Sequence, residues 1–325
     1  MDKVLSISVA SYNVEKTLER TVDSVIHAAG CLEAIELIIV NDGSKDMTKK
    51  IAQEYMKKYP NTVKMIDKQN SGYGSTINQS LAVAKGKYYK LLDGDDTFVT
   101  ENLPEFIRFL KNCNADIVIT PYNEVYESNN EIKMIDVHLL NSIDNRFENI
   151  VMHEVAAKTD MLRNVGTNIT EHCFYTDNEF VFYALLGIKS IKKFNNPIYN
   201  YNLGVEGQSV SIEGIKKHYK DMIIVSNKVC SLFNEYLMKN NSNRFQKKLI
   251  EDKIRSVVRN VYGSFLVIDS TKEMLEELKS YDSALKTRYP EAYRISGYEK
   301  KINFLRKTNF LLFSYLSNRE KKRFG

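Results

Sequence analysis

Asp93-Gly94-Asp95-Asp96 packs three carboxylates into four residues, directly after the apolar run Tyr88 to Leu92. Asp93 and Asp95 stand two apart across a glycine, so both can reach one point from a tight turn. No Lys or Arg adjoins them after Lys90, and carboxylates this close repel unless a cation or hydrogen-bond donors lie between them. Hard divalent cations take oxygen ligands, and magnesium-type sites use one or two carboxylates plus substrate phosphates. Alone, the four residues read more readily as a solvated turn, where Asp and Gly are common. Their placement at the end of an apolar run, and two similar clusters upstream, favour the ligand reading.

Those clusters are Ser11-Tyr12-Asn13, after Val4 to Val9, and Asn41-Asp42-Gly43-Ser44, after Ile35 to Val40. A glycine-containing loop, Asn70-Ser71-Gly72-Tyr73-Gly74-Ser75, follows a third apolar run, Val63 to Ile66. Asp42 reads equally as a turn and cap residue or as a carboxylate that accepts hydrogen bonds from a base or ribose.

The apolar runs, with Asp116 to Thr120 as a fifth, read as strands. Between them Val14, Leu18, Val22, Val25, Ile26 and Ala29 recur at helical spacing. Ser44 or Asp46 is expected to cap a helix carrying Ile51, Ala52, Tyr55 and Tyr59. Ile77 to Ala84 marks another helix, closed by Gly86, and Thr100 and Pro104 open one through Leu110. Such alternation gives an α/β fold whose mostly parallel sheet lies between helices. Ligands of such sheets bind at the carboxyl ends of the strands, where all three polar clusters fall.

After Pro121 the pattern changes. Tyr122 to Tyr126 and Ile132 to Leu139 predict a hairpin around Ser128-Asn129-Asn130. Asn178 to Leu186 reads as a helix, Ile188 to Phe194 and Ile198 to Tyr201 as short strands. From about Ser211 the chain reads as all-helical, with Ile215 to Met238, Phe245 to Val267 and Lys272 to Tyr289. No internal repeat appears.

Composition bounds the function. The chain has 325 residues, 43% hydrophobic and 27% charged, an ordinary globular balance. No apolar run approaches the roughly 18 residues of a spanning helix, and the N-terminus does not read as a secretory leader. Cys31, Cys113, Cys173 and Cys230 lie far apart, which excludes a zinc ribbon and suits a reducing compartment. From Asn240 onward about 19 Lys/Arg face about 10 Asp/Glu, leaving the body mildly acidic and the tail basic.

Taken together, Val9-Ala10-Ser11-Tyr12-Asn13-Val14-Glu15, Ile38-Ile39-Val40-Asn41-Asp42-Gly43-Ser44, Gly72-Tyr73-Gly74 and Leu91-Leu92-Asp93-Gly94-Asp95-Asp96 resemble the family 2 glycosyltransferases of the GT-A fold in order and spacing. Ala10 stands where the family usually has Pro, and Gly94 where it has Ser. The resemblance implies a GT-A domain over residues 1–210, with a nucleotide-binding half over 1–100 and an acceptor half over 101–210. A helical C-terminal region follows over 211–325. It implies that Ser11, Tyr12, Asn13, Glu15, Gly72, Gly74 and Gly94 line the nucleotide-sugar pocket and that Asp42 meets the base. Asp93 and Asp95 would hold a divalent metal ion, Mg2+ or Mn2+, against the donor diphosphate.

Inverting members use a carboxylate from the second half of the domain as general base. The best match is Asp177, in Phe174-Tyr175-Thr176-Asp177-Asn178-Glu179, with Thr176 where Glu is common. Thr176 or Asp177 as a plain helix cap is the competing reading. Gln208 and Ser209 match a Ser-rich loop that donates to the donor sugar nucleotide, and Asn202 replaces the family's Arg.

The implied reaction is metal-dependent, inverting transfer from a nucleotide sugar, UDP-linked, to a glycan or lipid-linked acceptor in capsular or other bacterial surface polysaccharide synthesis. The place implied is cytoplasmic, peripheral on the inner membrane face. Apolar residues 304–316 beside Arg306, Lys307, Arg319 and Lys321-Lys322-Arg323 suit an interfacial membrane helix; a core-packing helix with a basic end is the alternative. A homo-oligomer stays open as a partner state. No nucleic-acid motif appears. A sugar nucleotidyltransferase would need a Gly-rich basic first loop, which is absent after Val9, and a non-catalytic scaffold would not need Asp93, Asp95 and Asp177 together.

Overall fold

The structure is a computed structural model that describes residues 2–129, 131–137, 149–204, 209–239 and 243–324. It clusters into two compact units. The first comprises residues 1–145, 150–172 and 183–205; the second comprises 146–149, 173–182 and 206–325.

The first unit begins with the alternation its sequence predicts. Strand β1 (Leu5–Ser11) leads to α1 (Leu18–Ile26), then β2 (Ile35–Asp42), α2 (Thr48–Lys58), β3 (Val63–Lys68), α3 (Tyr73–Val83) and β4 (Tyr88–Asp93). Every residue of β2 is buried, Glu36, Asn41 and Asp42 included, so its apolar and polar residues do not alternate. Short β5 (Thr97–Phe98) and α4 (Leu103–Asn112) follow, then β6 (Ile117–Ile119) and the hairpin β7 (Tyr122–Tyr126) and β8 (Glu131–Ile135). The expected strand to Leu139 ends at Ile135, and Leu139 and Asn130 lie outside the described residues. Next come β9 (Val155–Lys158) and α5 (Thr159–Asn164). Helix α6 (Asp177–Gly187), β10 (Ile191–Lys193) and β11 (Tyr199–Leu203) complete this part of the chain.

The main sheet runs β10-β6-β9-β4-β1-β2-β3. All its pairings are parallel except those of β9, which is antiparallel to β4 and β6. A smaller sheet runs β5-β11-β7-β8. Register aligns Ser11 with Asn41, Ala10 with Asp93 and Asn41 with Asp67. The three polar clusters therefore share one edge of the sheet.

Several polar groups inside this core are matched. Ser8 Oγ lies 2.7 Å from Ser80 Oγ, which lies 2.8 Å from the Tyr89 hydroxyl. The buried Glu36 accepts from Ser6 Oγ and the Lys85 amide and pairs with Lys64. Matched partners remove the penalty of about 1–3 kcal/mol that an orphaned buried group carries.

Neither Ser44 nor Asp46 is the N-cap of α2. That position is Met47, while Asp46 Oδ1 accepts from the Thr48 amide at 3.0 Å.

The second unit holds α7 (Ile212–Met238), α8 (Arg244–Val267), α9 (Lys272–Arg288), α10 (Pro290–Ser296), α11 (Lys300–Lys307) and α12 (Phe313–Phe324). Ser211, Asn243 and Thr271 cap the first three by accepting from amides of the opening turn. The basic tail is two helices rather than one. The chain turns at Asn309 and Phe310, both at positive φ (47° and 62°).

Several residues expected at a membrane surface are core instead. Leu305, Phe310 and Phe313 are buried. Arg306 donates to Asp282 Oδ1 at 2.7 Å, to the Tyr293 carbonyl at 2.8 Å and to Ser296 Oγ at 3.1 Å, and its guanidinium lies over the Tyr293 ring. Lys321 lies 3.7 Å from Asp269. A helix with two apolar sides must bury one of them, and the intramolecular core takes it.

All four cysteines are free and buried. Among the described residues no helix is long and apolar enough to cross a membrane.

Candidate active site

The loop after β1 is sewn to the loop after β2. The Asn13 amide donates to Ser44 Oγ at 3.0 Å, and Asn13 Oδ1 accepts from the Lys45 amide at 2.9 Å. Glu15 Oε2 accepts from the Met47 amide at 2.9 Å, and the Glu15 amide donates to Asp46 Oδ2 at 3.1 Å. Asn13 adopts φ +53°, a conformation Asn tolerates better than most residues. Asn13 and Glu15 thus tie the two loops together. Ser11 is buried, and Tyr12 extends an exposed ring suited to stacking on a flat base.

Asp42 is 3% exposed, and both of its oxygens are engaged. Oδ1 accepts from Lys68 Nζ at 2.5 Å and the Ser71 amide at 2.9 Å; Oδ2 accepts from the Gly72 amide at 2.9 Å. Asp42 therefore shapes the glycine loop from beneath. The loop needs its glycines: Gly72 sits at φ +84°, and a Cβ at Gly74 would stand 2.1 Å from the Thr170 carbonyl oxygen. Gly94 is similarly constrained, since its Cβ would meet the Ala10 carbonyl at 2.7 Å. The His172 amide donates to the Ser71 carbonyl at 2.6 Å and braces the loop from the other side.

At the end of β4, Asp93 Oδ1 accepts from the Tyr73 hydroxyl at 2.7 Å. Asp96 is buried; its Oδ2 accepts from the Tyr199 hydroxyl at 2.6 Å and its Oδ1 from the Asn202 amide at 2.7 Å. Burial, then the charges of Asp93 and Asp95, push Asp96 well above the usual carboxylate range. Asn202, where the family pattern has Arg, ties down the acidic turn: its Nδ2 donates to the Asp95 carbonyl at 2.8 Å.

His153 joins this cluster. Ligand atoms of Asp93, Asp96 and His153 lie within 4.8 Å of one another. The ring of His153 packs against Tyr122, Tyr199 and Tyr201, and its Nδ1 is buried with no hydrogen-bond partner. Burial, and then nearby Lys90, push its pKa down to about 3, so the imidazole is neutral and able to ligate. Lys90 is fully buried and donates to the His153 carbonyl at 2.6 Å, fixing the segment that carries the ring. A neutral imidazole with an unpartnered nitrogen, one of whose ring nitrogens lies close to two carboxylates, suits a divalent cation. This cluster joins Asp93 with Asp96 and His153; Asp95, expected from the sequence to pair with Asp93, is not among its three residues.

His153 carried no signal in the sequence, because Met152-His153-Glu154 matches no motif and reaches the site only through the antiparallel return of β9. Tyr199 is legible as the aromatic start of a strand, but its bond to Asp96 is not.

In the second unit, Asp177 opens α6. Both its oxygens accept from Asn178 Nδ2, at 3.2 and 3.4 Å. Burial raises its pKa above the usual carboxylate range, opposed chiefly by the charge of Lys253 on α8. The Thr176 hydroxyl is buried without a partner, so its side chain does not cap the helix. Tyr175, at φ +62°, donates its hydroxyl to the Ser209 carbonyl at 2.8 Å. Gln208 lies outside the described residues.

A parallel sheet whose strand ends carry a carboxylate-held glycine loop and an Asp-rich turn, followed by helices, is a nucleotide-sugar-binding fold of the GT-A kind. Residues 6–167 match the model for glycosyl transferase family 2, and the chain belongs to that family. It is 28% identical over 336 residues to the minor teichoic acid biosynthesis protein GgaB of Bacillus subtilis (strain 168), covering 91% of this chain and 36% of that protein. It is 25% identical over 220 residues to a poly(ribitol-phosphate) beta-glucosyltransferase of Bacillus spizizenii, covering 64% of this chain and 33% of that protein. The chain thus spans about a third of the length of these relatives. Among solved structures, S. aureus TarS 1-349 superposes with a TM-score of 0.67 at 18% identity, covering 98% of this chain and 91% of that one. The same fragment in complex with UDP-GlcNAc gives 0.62 at 17% identity, covering 98% and 92%.

Proposed function

We propose that this chain is a metal-dependent inverting glycosyltransferase that moves a sugar from a UDP-sugar to a glycan or lipid-linked acceptor of a bacterial surface polysaccharide. The observation that carries the reading is the meeting, at one sheet edge, of the Asp42-held glycine loop with the Asp93, Asp96 and His153 donor set. Tyr12 receives the base, and the sequence resemblance assigns Ser209 to the donor. Asp93, with Asp95 or with Asp96 and His153, holds the ion. Bound there, a divalent cation neutralises the charge that develops on the departing nucleoside diphosphate. A nitrogen ligand favours Mn2+ over Mg2+, which prefers an all-oxygen shell. Asp177 takes the proton of the acceptor hydroxyl. The names of the relatives favour a teichoic-acid acceptor over a capsular one.

The test is a thermal-shift and hydrolysis screen of UDP-GlcNAc, UDP-glucose and GDP-mannose, each with MnCl2 or with chelator. The expected result is metal-dependent stabilisation by one UDP-sugar and slow release of UDP. Stabilisation by none of them, or hydrolysis indifferent to chelator, would reject the reading.

The C-terminal helices serve membrane association through the surface they leave outside their core. Lys300, Phe304 and Lys307 share one face of α11, and Tyr315, Arg319 and Lys322 share one face of α12, both at i, i+4, i+7 spacing. Leu311, 85% exposed, and Leu312 stand at the turn between them. Glu299 and Glu320 are taken up by Arg255 and Lys301, so the face is basic and apolar. Each basic residue near an anionic surface contributes about 1 kcal/mol. Neutralising Lys307, Arg319 and Lys322 to Gln is therefore expected to weaken binding to anionic vesicles by about 10²-fold at low salt, with an unchanged melting temperature. Equal co-sedimentation of variant and parent would remove the membrane role. Truncation from Lys300, by contrast, is expected to destabilise the protein, because it removes Leu305, Arg306, Phe310 and Phe313 from the core.

A further inference from the structure

We propose that Tyr73 is a positioning residue of the ion site, whose phenol fixes the Asp93 carboxylate and couples the glycine loop to it. The inference rests on the metal-dependent reading above and assigns a role to the residue between the two loop glycines.

The side chain has little freedom. Tyr73 opens α3 directly after Gly72, whose amide is held by Asp42. The Tyr73 carbonyl accepts from Thr76 Oγ1 at 2.7 Å, and Ser75 Oγ donates to the Gly72 carbonyl at 2.6 Å. On the other side Gly74 is pressed against Thr170, with no room for a Cβ. The backbone on both sides of Tyr73 is thus locked, and the phenol reaches Asp93 Oδ1 at 2.7 Å.

The bond also continues past Asp93. The Asp93 amide donates to the Tyr199 hydroxyl at 3.2 Å, and that hydroxyl donates to Asp96 Oδ2 at 2.6 Å. One path of hydrogen bonds therefore runs from Asp42, through the loop, to both carboxylates of the donor set. A phenol donor on one oxygen of Asp93 restrains rotation of the carboxylate. Removing partners of this kind typically costs 10–100-fold in metal affinity.

The experiment is Tyr73→Phe, which deletes one oxygen and keeps the ring. Binding of Mn2+ is titrated by electron paramagnetic resonance in the presence of UDP, beside melting curves, metal-free UDP binding and turnover against Mn2+ concentration. The Mn2+ dissociation constant is expected to rise by about 10–100-fold. Melting temperature and metal-free UDP binding should hold, and turnover should climb back towards the parent value at saturating Mn2+. In the background of Asp93→Asn the same change should add no further loss. An unaltered Mn2+ constant in folded Tyr73→Phe, or a loss that adds fully to that of Asp93→Asn, overturns the proposal. If Asp93→Asn loses Mn2+ while Tyr73→Phe keeps it, the metal reading stands and this inference alone fails. A parent protein that binds no Mn2+ with UDP overturns both.

Discussion

Replacing Asp93 by asparagine is expected to lower transfer by roughly 10²–10³-fold or more and to abolish the stabilisation that Mn2+ and UDP confer together. The substitution keeps the shape and still accepts the Tyr73 phenol, so the melting temperature without ligand should change little. What is lost is a negative charge in the Asp93, Asp96 and His153 cluster proposed to hold the cation. Two companion variants divide the candidate ligand sets. If the expected Asp93–Asp95 pair holds the ion, Asp95→Ala will match Asp93→Asn in Mn2+ titrations and His153→Gln will not. If the ion takes the nitrogen, the pattern reverses, and His153→Gln will also narrow the preference for Mn2+ over Mg2+. Near-normal turnover of Asp93→Asn in chelator would remove the ion from the mechanism.

Asp177→Asn is the second large effect, an expected fall of about 10²–10⁴-fold in kcat with donor binding kept. The pH profile gives a sharper readout. Asp177 acts as a base when deprotonated, and burial holds its pKa above the ordinary 3.8. As pH falls through that raised value the base is protonated, so kcat/KM should fall along an acid limb above the normal carboxylate range. The limb should vanish in Asp177→Asn. An unchanged rate with a lower melting temperature would make Asp177 a structural residue of α6.

The part of the fold legible in the sequence was the part governed by local periodicity. The apolar runs of β1, β2 and β4 end where polar clusters begin, and parallel pairing then brings the clusters to one edge. Strand β9 was not legible: Val155-Ala156-Ala157-Lys158 has one β-branched residue and takes its place through pairing with β4 and β6. The same long-range pairing delivers His153 to the Asp93–Asp96 turn, so its place there could not be foreseen. The hydrogen bonds of Asn13, Glu15 and Asp42 were not legible for a related reason. Residue type marks a polar site, but whether an oxygen faces a ligand or an amide depends on the neighbouring loop. The tail shows the limit of amphipathic pattern. Phe310 and Leu311 are adjacent apolar residues, yet one is core and the other is 85% exposed, because the turn at Asn309 and Phe310 sends them opposite ways.

The engagement of Asp42 bears on how donor preference would be re-engineered. A carboxylate free to swing could exchange one nucleobase for another by changing rotamer, and a single substitution there would retune the pocket. Here the carboxylate is a keystone: Lys68 and the amides of Ser71 and Gly72 converge on it. Exchange at position 42 would release the whole segment 69–75 before it changed any base contact. Laboratory evolution towards a different nucleotide would therefore have to accumulate changes along the exposed rim, at Tyr12 and its neighbours, while leaving position 42 fixed.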